Sequence, residues 1–114
     1  MNKVIITGSN GLLGQSLLNL LLAEKDKYQV FGFSRGSNRS GRDDFSYVSI
    51  DITEKEELKK AIIKIKPKFI INTAAMTQVD DCENSKESCD LLNVTVVKWL
   101  SEISFKIRAH LIHI

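Results

Sequence analysis

Thr7-Gly8-Ser9-Asn10-Gly11-Leu12-Leu13-Gly14 sets three glycines in a GxxGxxG spacing, and the stretches on either side decide how the chain folds. Before it, Lys3 to Thr7 is a short apolar run through Val4, Ile5 and Ile6, the pattern of a strand buried on both faces. After it, Gly11 to Glu24 is apolar over a broad arc of Leu12, Leu13, Leu17, Leu18, Leu21 and Leu22, with Gln15, Ser16 and Asn19 on a thinner polar side. That is a helix expected to pack on a sheet. In a strand-to-helix loop of this kind the first glycine makes the tight turn and the second lets the backbone approach a pyrophosphate. The third allows close helix packing. The amides of Asn10 to Leu13 open the helix, where unpaired N–H groups and the helix dipole favour a diphosphate.

Working outward, Gln29 to Phe33 reads as a second strand. Ser34 to Asp44 is a polar Gly/Ser/Arg-rich loop, expected to be the most mobile segment. Tyr47 to Ile50 is a third strand. Thr53 is expected to cap a helix from about Glu54 to Lys66, with Glu56 completing a capping box and Pro67 marking the stop. Lys64, Lys66 and Lys68 gather where that helix ends and complement its dipole. Lys68 to Asn72 is a fourth strand, followed by the small-residue turn Thr73-Ala74-Ala75. A helix over about Ser85 to Ser104 carries Leu92, Val96, Leu100 and Ile103 at helical spacing, with Trp99 as a packing anchor. Ala109 to Ile114 is a fifth strand. Strands alternating with helices imply right-handed parallel crossovers, hence one α/β domain over residues 1–114, a doubly wound Rossmann sheet in the order 3-2-1-4-5.

Composition narrows the function. The chain has 114 residues, 43% hydrophobic and 26% charged, an ordinary soluble globular balance. Its 16 basic and 14 acidic side chains are interspersed, net +2, so there is no basic stripe and no nucleic-acid partner is expected. The leucine-rich run Leu17 to Leu22 is too short to cross a bilayer, so no membrane partner is expected either. Met1-Asn2-Lys3 leads straight into Val4 without a signal-peptide pattern, which predicts a cytoplasmic protein. Cys82 and Cys89 fall seven apart on one helical segment, too far for a disulfide, and read as reduced thiols.

A Rossmann domain commonly holds the adenine ribose with an acidic residue about 20 positions past the glycines. Here that count reaches Ser34, and no carboxylate stands there. Ser34-Arg35, with Arg39 and Arg42 beyond, instead offers hydroxyl and guanidinium donors suited to a 2′-phosphate, so NADP(H) is preferred and NAD(H) is the alternative. A merely solvated basic loop is the plainer explanation of the same arginines. Asp51-Ile52 follows the third strand, where the carboxylate either accepts from the adenine amino group or starts a helix cap.

The set TGxxGxxG at Thr7 to Gly14, Asp51-Ile52 and Asn72-Thr73-Ala74-Ala75 resembles the extended short-chain dehydrogenase/reductase family. Within it, Ala74-Ala75-Met76-Thr77-Gln78-Val79-Asp80, Glu83 and Leu92-Asn93-Val94 look most like the dTDP-4-dehydrorhamnose reductases, over the whole chain but only the N-terminal part of a family member. Gly8, Asn10, Gly11, Leu12, Leu13, Gly14, Ser34, Arg35, Asp51 and Ile52 are the expected dinucleotide contacts, and the resemblance implies that Ala74 and Ala75 line the cofactor near its nicotinamide end. Thr77 and Val79 would face a sugar nucleotide, and Asn93 either supports the site or is a polar residue inside a helix. Family members carry a Ser or Thr after the fifth strand and a Tyr-x-x-x-Lys that donates the proton. Neither is present: Tyr28 is followed four residues later by Gly32, and Tyr47 by Asp51. His110 and His113 should point to opposite faces of a strand, so they form no metal pair. The chain alone is therefore expected to be inactive. The functional alternatives are the cofactor-binding part of a sugar-nucleotide reductase, a regulatory or binding module of the same fold, and a sugar-nucleotide epimerase or dehydratase. Ending at the fifth strand, the chain should leave apolar surface and an open edge, and self-association is expected.

Overall fold

The structure is a computed structural model that describes residues 1–24, 26–74 and 91–114. Strands β1 (Asn2–Thr7), β2 (Tyr28–Ser34), β3 (Ser46–Ser49), β4 (Phe69–Asn72) and β5 (His110–His113) form one parallel sheet in the order β3-β2-β1-β4-β5. This is the Rossmann order expected from the alternation of elements. Helices α1 (Leu12–Leu22), α2 (Lys55–Ile65) and α3 (Val96–Ile107) connect and cover the strands.

Alternation along each strand divides the core in two. Ile5, Phe33 and Ile70 pack with Leu58 and Ile62 of α2 and Val96, Leu100 and Ile103 of α3 on one face. Val4, Ile6, Val30 and Ile71 pack with Leu18 and Leu22 of α1 on the other. Because successive strand residues point to opposite faces, a continuous apolar run is what a strand covered on both sides needs. Each such buried aliphatic side chain contributes about 1.5–3 kcal/mol.

Three local expectations change. Leu12 and Leu13 do not join the packed arc of α1: Leu12 is 90% exposed and Leu13 44%. Gly14, Leu18 and Leu22 take the sheet instead. With Gly14 facing the sheet, a step of roughly 100° per residue swings Leu13 aside and puts Leu12 nearly opposite. Thr53 does not cap α2, whose N-cap is Glu54 with no side-chain cap bond. The Thr53 hydroxyl donates to Asp51 Oδ1 at 2.6 Å and its amide to the same oxygen at 3.0 Å. This local turn competes with the cap for the same groups. Finally, α3 runs on to Ile107 and is entered through a π-helical turn, Leu91–Thr95, rather than as a uniform α-helix. The expected start of that helix near Ser85, and Cys82 and Cys89, lie outside the described residues.

Trp99 is half-buried against the α2–α3 face, with Lys55 Nζ 5.8 Å from its ring centre, as expected of a packing anchor. His110 stacks on Phe69 with ring centres 5.6 Å apart. His113 instead reaches Asn72, its Nδ1 lying 3.0 Å from Nδ2. Among the described residues no helix is long and apolar enough to cross a membrane.

Candidate nucleotide-binding site

The glycine loop sits where the C-terminal ends of β1, β2 and β4 meet. Gly8 turns the chain with φ +78°, a conformation that disfavours side chains, and its amide donates to Phe33 O at 2.7 Å. A Cβ on Gly8 would lie 2.7 Å from Thr73 Oγ1 and 2.9 Å from Ala74 N, so the end of β4 closes against it. Gly14 is tighter still: a Cβ there would stand 2.1 Å from Gly8 O. Gly11 differs, because its nearest neighbour in that test is Gly8 O at 3.4 Å and the space beyond is open. One glycine turns, one packs and the one between leaves room.

That room is lined by donors. Gly11 N bonds Gly8 O at 3.0 Å, and the first helical bond runs from Gln15 N to Gly11 O at 2.9 Å. The N–H groups of Leu12, Leu13 and Gly14 have no hydrogen-bond partner among the described residues. Three free amides at the positive end of an eleven-residue helix suit a diphosphate.

The end of β2 supplies the neighbouring groups. Ser34 is half-buried and its Oγ accepts from Asn10 N at 3.3 Å, which leaves the hydroxyl hydrogen available. Arg35 is exposed, and its charge adds a small lowering of the Asp51 carboxyl. Asp51 Oδ1 is taken by Thr53, and these hydrogen bonds, from the hydroxyl first and the amide second, hold the carboxyl below its usual range. Oδ2 has no partner among the described residues and stays able to accept. Ile52 is buried in the α2–α3 face.

Arg42, offered by sequence as a phosphate donor, is committed elsewhere. Its Nε and Nη2 bond both oxygens of Asp44 at 2.9 and 2.6 Å, and Nη1 bonds Asn19 Oδ1 at 2.9 Å. The segment expected to be most mobile is in fact tied down. Asn10 reaches into it with Nδ2 bonds to Arg35 O at 3.2 Å and Ser37 O at 2.9 Å, and accepts from Arg39 N at 2.7 Å. Tyr47 Oη donates to Gly36 O at 2.7 Å.

At the β4 side, Ala74 stands against Gly8, and Thr73 Oγ1 donates to Thr7 O at 2.7 Å, clamping the glycine loop to β4. Beneath it, Thr7 and Asn72 are fully buried, and the Thr7 hydroxyl donates to Asn72 Oδ1. Asn72 Nδ2 donates onward to His113 Nδ1, which fixes the acceptor nitrogen of that ring. Asn93 is half-buried within the π-helical turn. Ala75, Thr77 and Val79 lie outside the described residues. Sequence reasoning missed Gly32, where a Cβ would meet Ser9 Oγ and Phe45 Cε2 at 2.7 Å each. It also missed Tyr47 and the Thr7–Asn72–His113 chain. Gly32, a glycine inside an apolar strand, was the one available signal.

The RmlD substrate binding domain family matches residues 1–114. A dTDP-4-dehydrorhamnose reductase from Aggregatibacter actinomycetemcomitans is 34% identical over 114 residues, all of this chain and 34% of the relative. Methionine adenosyltransferase 2 subunit beta from Xenopus laevis is 27% identical over 98% of this chain and 31% of its own length. Among solved structures, a hypothetical dTDP-4-dehydrorhamnose reductase from Sulfolobus tokodaii superposes with a TM-score of 0.81 at 32% identity, covering 99% of this chain and 38% of that one. The chain thus spans about a third of the length of the relatives it matches. With the family matched from end to end and a relative aligned over the same span, the chain belongs to the RmlD substrate binding domain family.

Proposed function

We propose that this chain is the NADP(H)-binding part of a sugar-nucleotide reductase resembling dTDP-4-dehydrorhamnose reductase, which in the complete protein passes hydride to a 4-keto sugar nucleotide. The observation that carries the reading is the set of free amides at Leu12, Leu13 and Gly14 beside open Gly11, next to Ser34 and exposed Arg35 where a carboxylate is lacking. The amides would hold the pyrophosphate. Ser34 and Arg35 would take the 2′-phosphate, with Asp51 Oδ2 free to accept from the adenine amino group. Bound there, the nicotinamide ring supplies or accepts the hydride. Ala74 and Ala75, following β4, would border it, and Thr77 and Val79 would face the sugar. This chain contributes binding and orientation, and the proton donor must come from residues other than these, since no Tyr-x-x-x-Lys is among them.

Titration of the complete protein with NADPH and NADH tests the cofactor reading. NADPH should bind at least about tenfold more tightly, and Arg35→Ala should remove most of that preference, as expected for loss of a charge-assisted contact. Equal affinities for the two would overturn the NADP(H) assignment.

The relationship to methionine adenosyltransferase 2 subunit beta favours one second reading, a regulatory module that uses the same fold to contact a partner enzyme. Reduction of a dTDP-4-keto-6-deoxy sugar by the complete protein with NADPH would exclude it. Tight cofactor binding with no turnover would support it.

A further inference from the structure

Both arginines that flank the proposed ribose site are anchored through their main chains to one side chain. Asn10 Nδ2 donates to Arg35 O at 3.2 Å, and Asn10 Oδ1 accepts from Arg39 N at 2.7 Å. The same Nδ2 reaches Ser37 O at 2.9 Å and Tyr47 Oη at 3.3 Å. Tyr47 closes the frame by donating to Gly36 O at 2.7 Å. Asn10 itself is held from behind, its amide on Ser34 Oγ at 3.3 Å and its carbonyl under Gln15 Nε2 at 2.7 Å. One carboxamide therefore sets the separation between the roots of Arg35 and Arg39 and ties both to the glycine loop. Both arginine side chains are exposed.

We infer that Asn10 is a specificity-determining positioning residue: its side chain holds the 35–39 loop so that Arg35 and Arg39 converge on a phosphate monoester at the ribose, the 2′-phosphate of NADP(H). The inference rests on the cofactor reading above and adds to it the residue that shapes the pocket. The chemistry requires an amide. Two carbonyl oxygens need donors and one amide needs an acceptor, which a carboxylate or an alkyl side chain cannot provide together. These bonds lie at the surface, so their loss leaves the freed groups to water and the fold intact. What changes is that the ligand must then order the loop itself.

The test measures NADPH and NADH dissociation constants for the complete protein, Asn10→Ala, Tyr47→Phe and Arg35→Ala/Arg39→Ala, with amide exchange at Arg39 read in parallel. Asn10→Ala is expected to lower the NADPH-over-NADH affinity ratio about tenfold, mainly through NADPH, a loss consistent with two or three surface hydrogen bonds. Tyr47→Phe should lower it less. The Arg39 amide should exchange faster in Asn10→Ala. Adding Asn10→Ala to the double arginine variant should lower the ratio no further, because the loop then has no charge left to place. A ratio unchanged in Asn10→Ala, or an equal loss for both nucleotides, overturns the inference while leaving the cofactor reading in place. A wild-type protein without NADPH preference overturns both, and that result is read before any variant is made.

Discussion

The β1–α1–β2 corner and the β4–β5 edge differ in which groups they leave exposed. At the corner, Gly8 and Gly14 bring backbones within van der Waals contact, Gly32 makes room for the Ser9 and Phe45 side chains, and Asn10 and Tyr47 tie the following loop into the same unit. Among the described residues the amides of Leu12, Leu13 and Gly14 have no partner beside the open space at Gly11, and Ser9 Oγ is buried without one. At the other end, β5 pairs only with β4 among the described residues, and Ile112 is 45% and Ile114 55% exposed. The lesson is that an unsatisfied polar group and an uncovered apolar one call for different partners: the first suits a charged ligand, the second another protein surface.

The largest effect expected from breaking this contrast lies inside the corner. Gly14→Ala forces a methyl against Gly8 O, where backbone rather than a flexible side chain must yield. Urea denaturation should show a loss of about 3 kcal/mol, the upper range for overpacking. Gly11→Ala should cost about 1 kcal/mol or less, the scale of an N-cap change, yet weaken nucleotide binding about tenfold by filling the open side of the loop. Equal destabilisation by both substitutions would erase the distinction between a packing glycine and a ligand glycine.

How much of this was legible in sequence follows from how far each signal reaches along the chain. The order of strands came from local periodicity and the handedness of crossovers, and the glycine loop from spacing between adjacent elements. Those signals span a few residues. The chain Thr7–Asn72–His113 joins three strands that are distant in sequence, so no local pattern announces it. The tie from Asn10 to Arg39 likewise crosses from one loop to another. Leu12 and Leu13 misled for a related reason: an apolar residue at a helix start fits the core periodicity whether or not the helix is rotated to bury it. The glycine that sets the rotation, Gly14, carries no hydrophobic signal.

The next effect tests the open edge. Self-association of this chain through β5 should appear as a light-scattering mass that rises with concentration. Ile112→Lys with Ile114→Lys should weaken association about tenfold, the consequence of removing roughly 1.4 kcal/mol of apolar burial. Charge on an exposed strand edge opposes pairing without touching the core. A wild-type chain that stays monomeric at high concentration would count against association through β5.

The smallest effect concerns Asp51, which follows β3 on the side of the β1–α1–β2 corner away from β5. Its carboxyl is held low mainly by the Thr53 hydroxyl, then by the Thr53 amide, with burial opposing and Arg35 assisting. A carboxylate lowered on folding adds stability above its unfolded value, and that stability is lost as pH falls through the folded value. The window is therefore acidic, below the ordinary aspartate range, and nothing should change near neutrality. Thr53→Val removes the hydroxyl and leaves the amide, so the Asp51 titration followed by carboxyl NMR should move up toward the ordinary range without reaching it. The acid limb of the stability curve should be smaller in the variant and should end at higher pH. An unmoved titration would mean that the attraction of Arg35, not the turn, sets the charge of Asp51, and Arg35→Ala would then produce the upward shift instead. That result would couple the carboxylate proposed for the adenine end directly to the arginine proposed for the ribose.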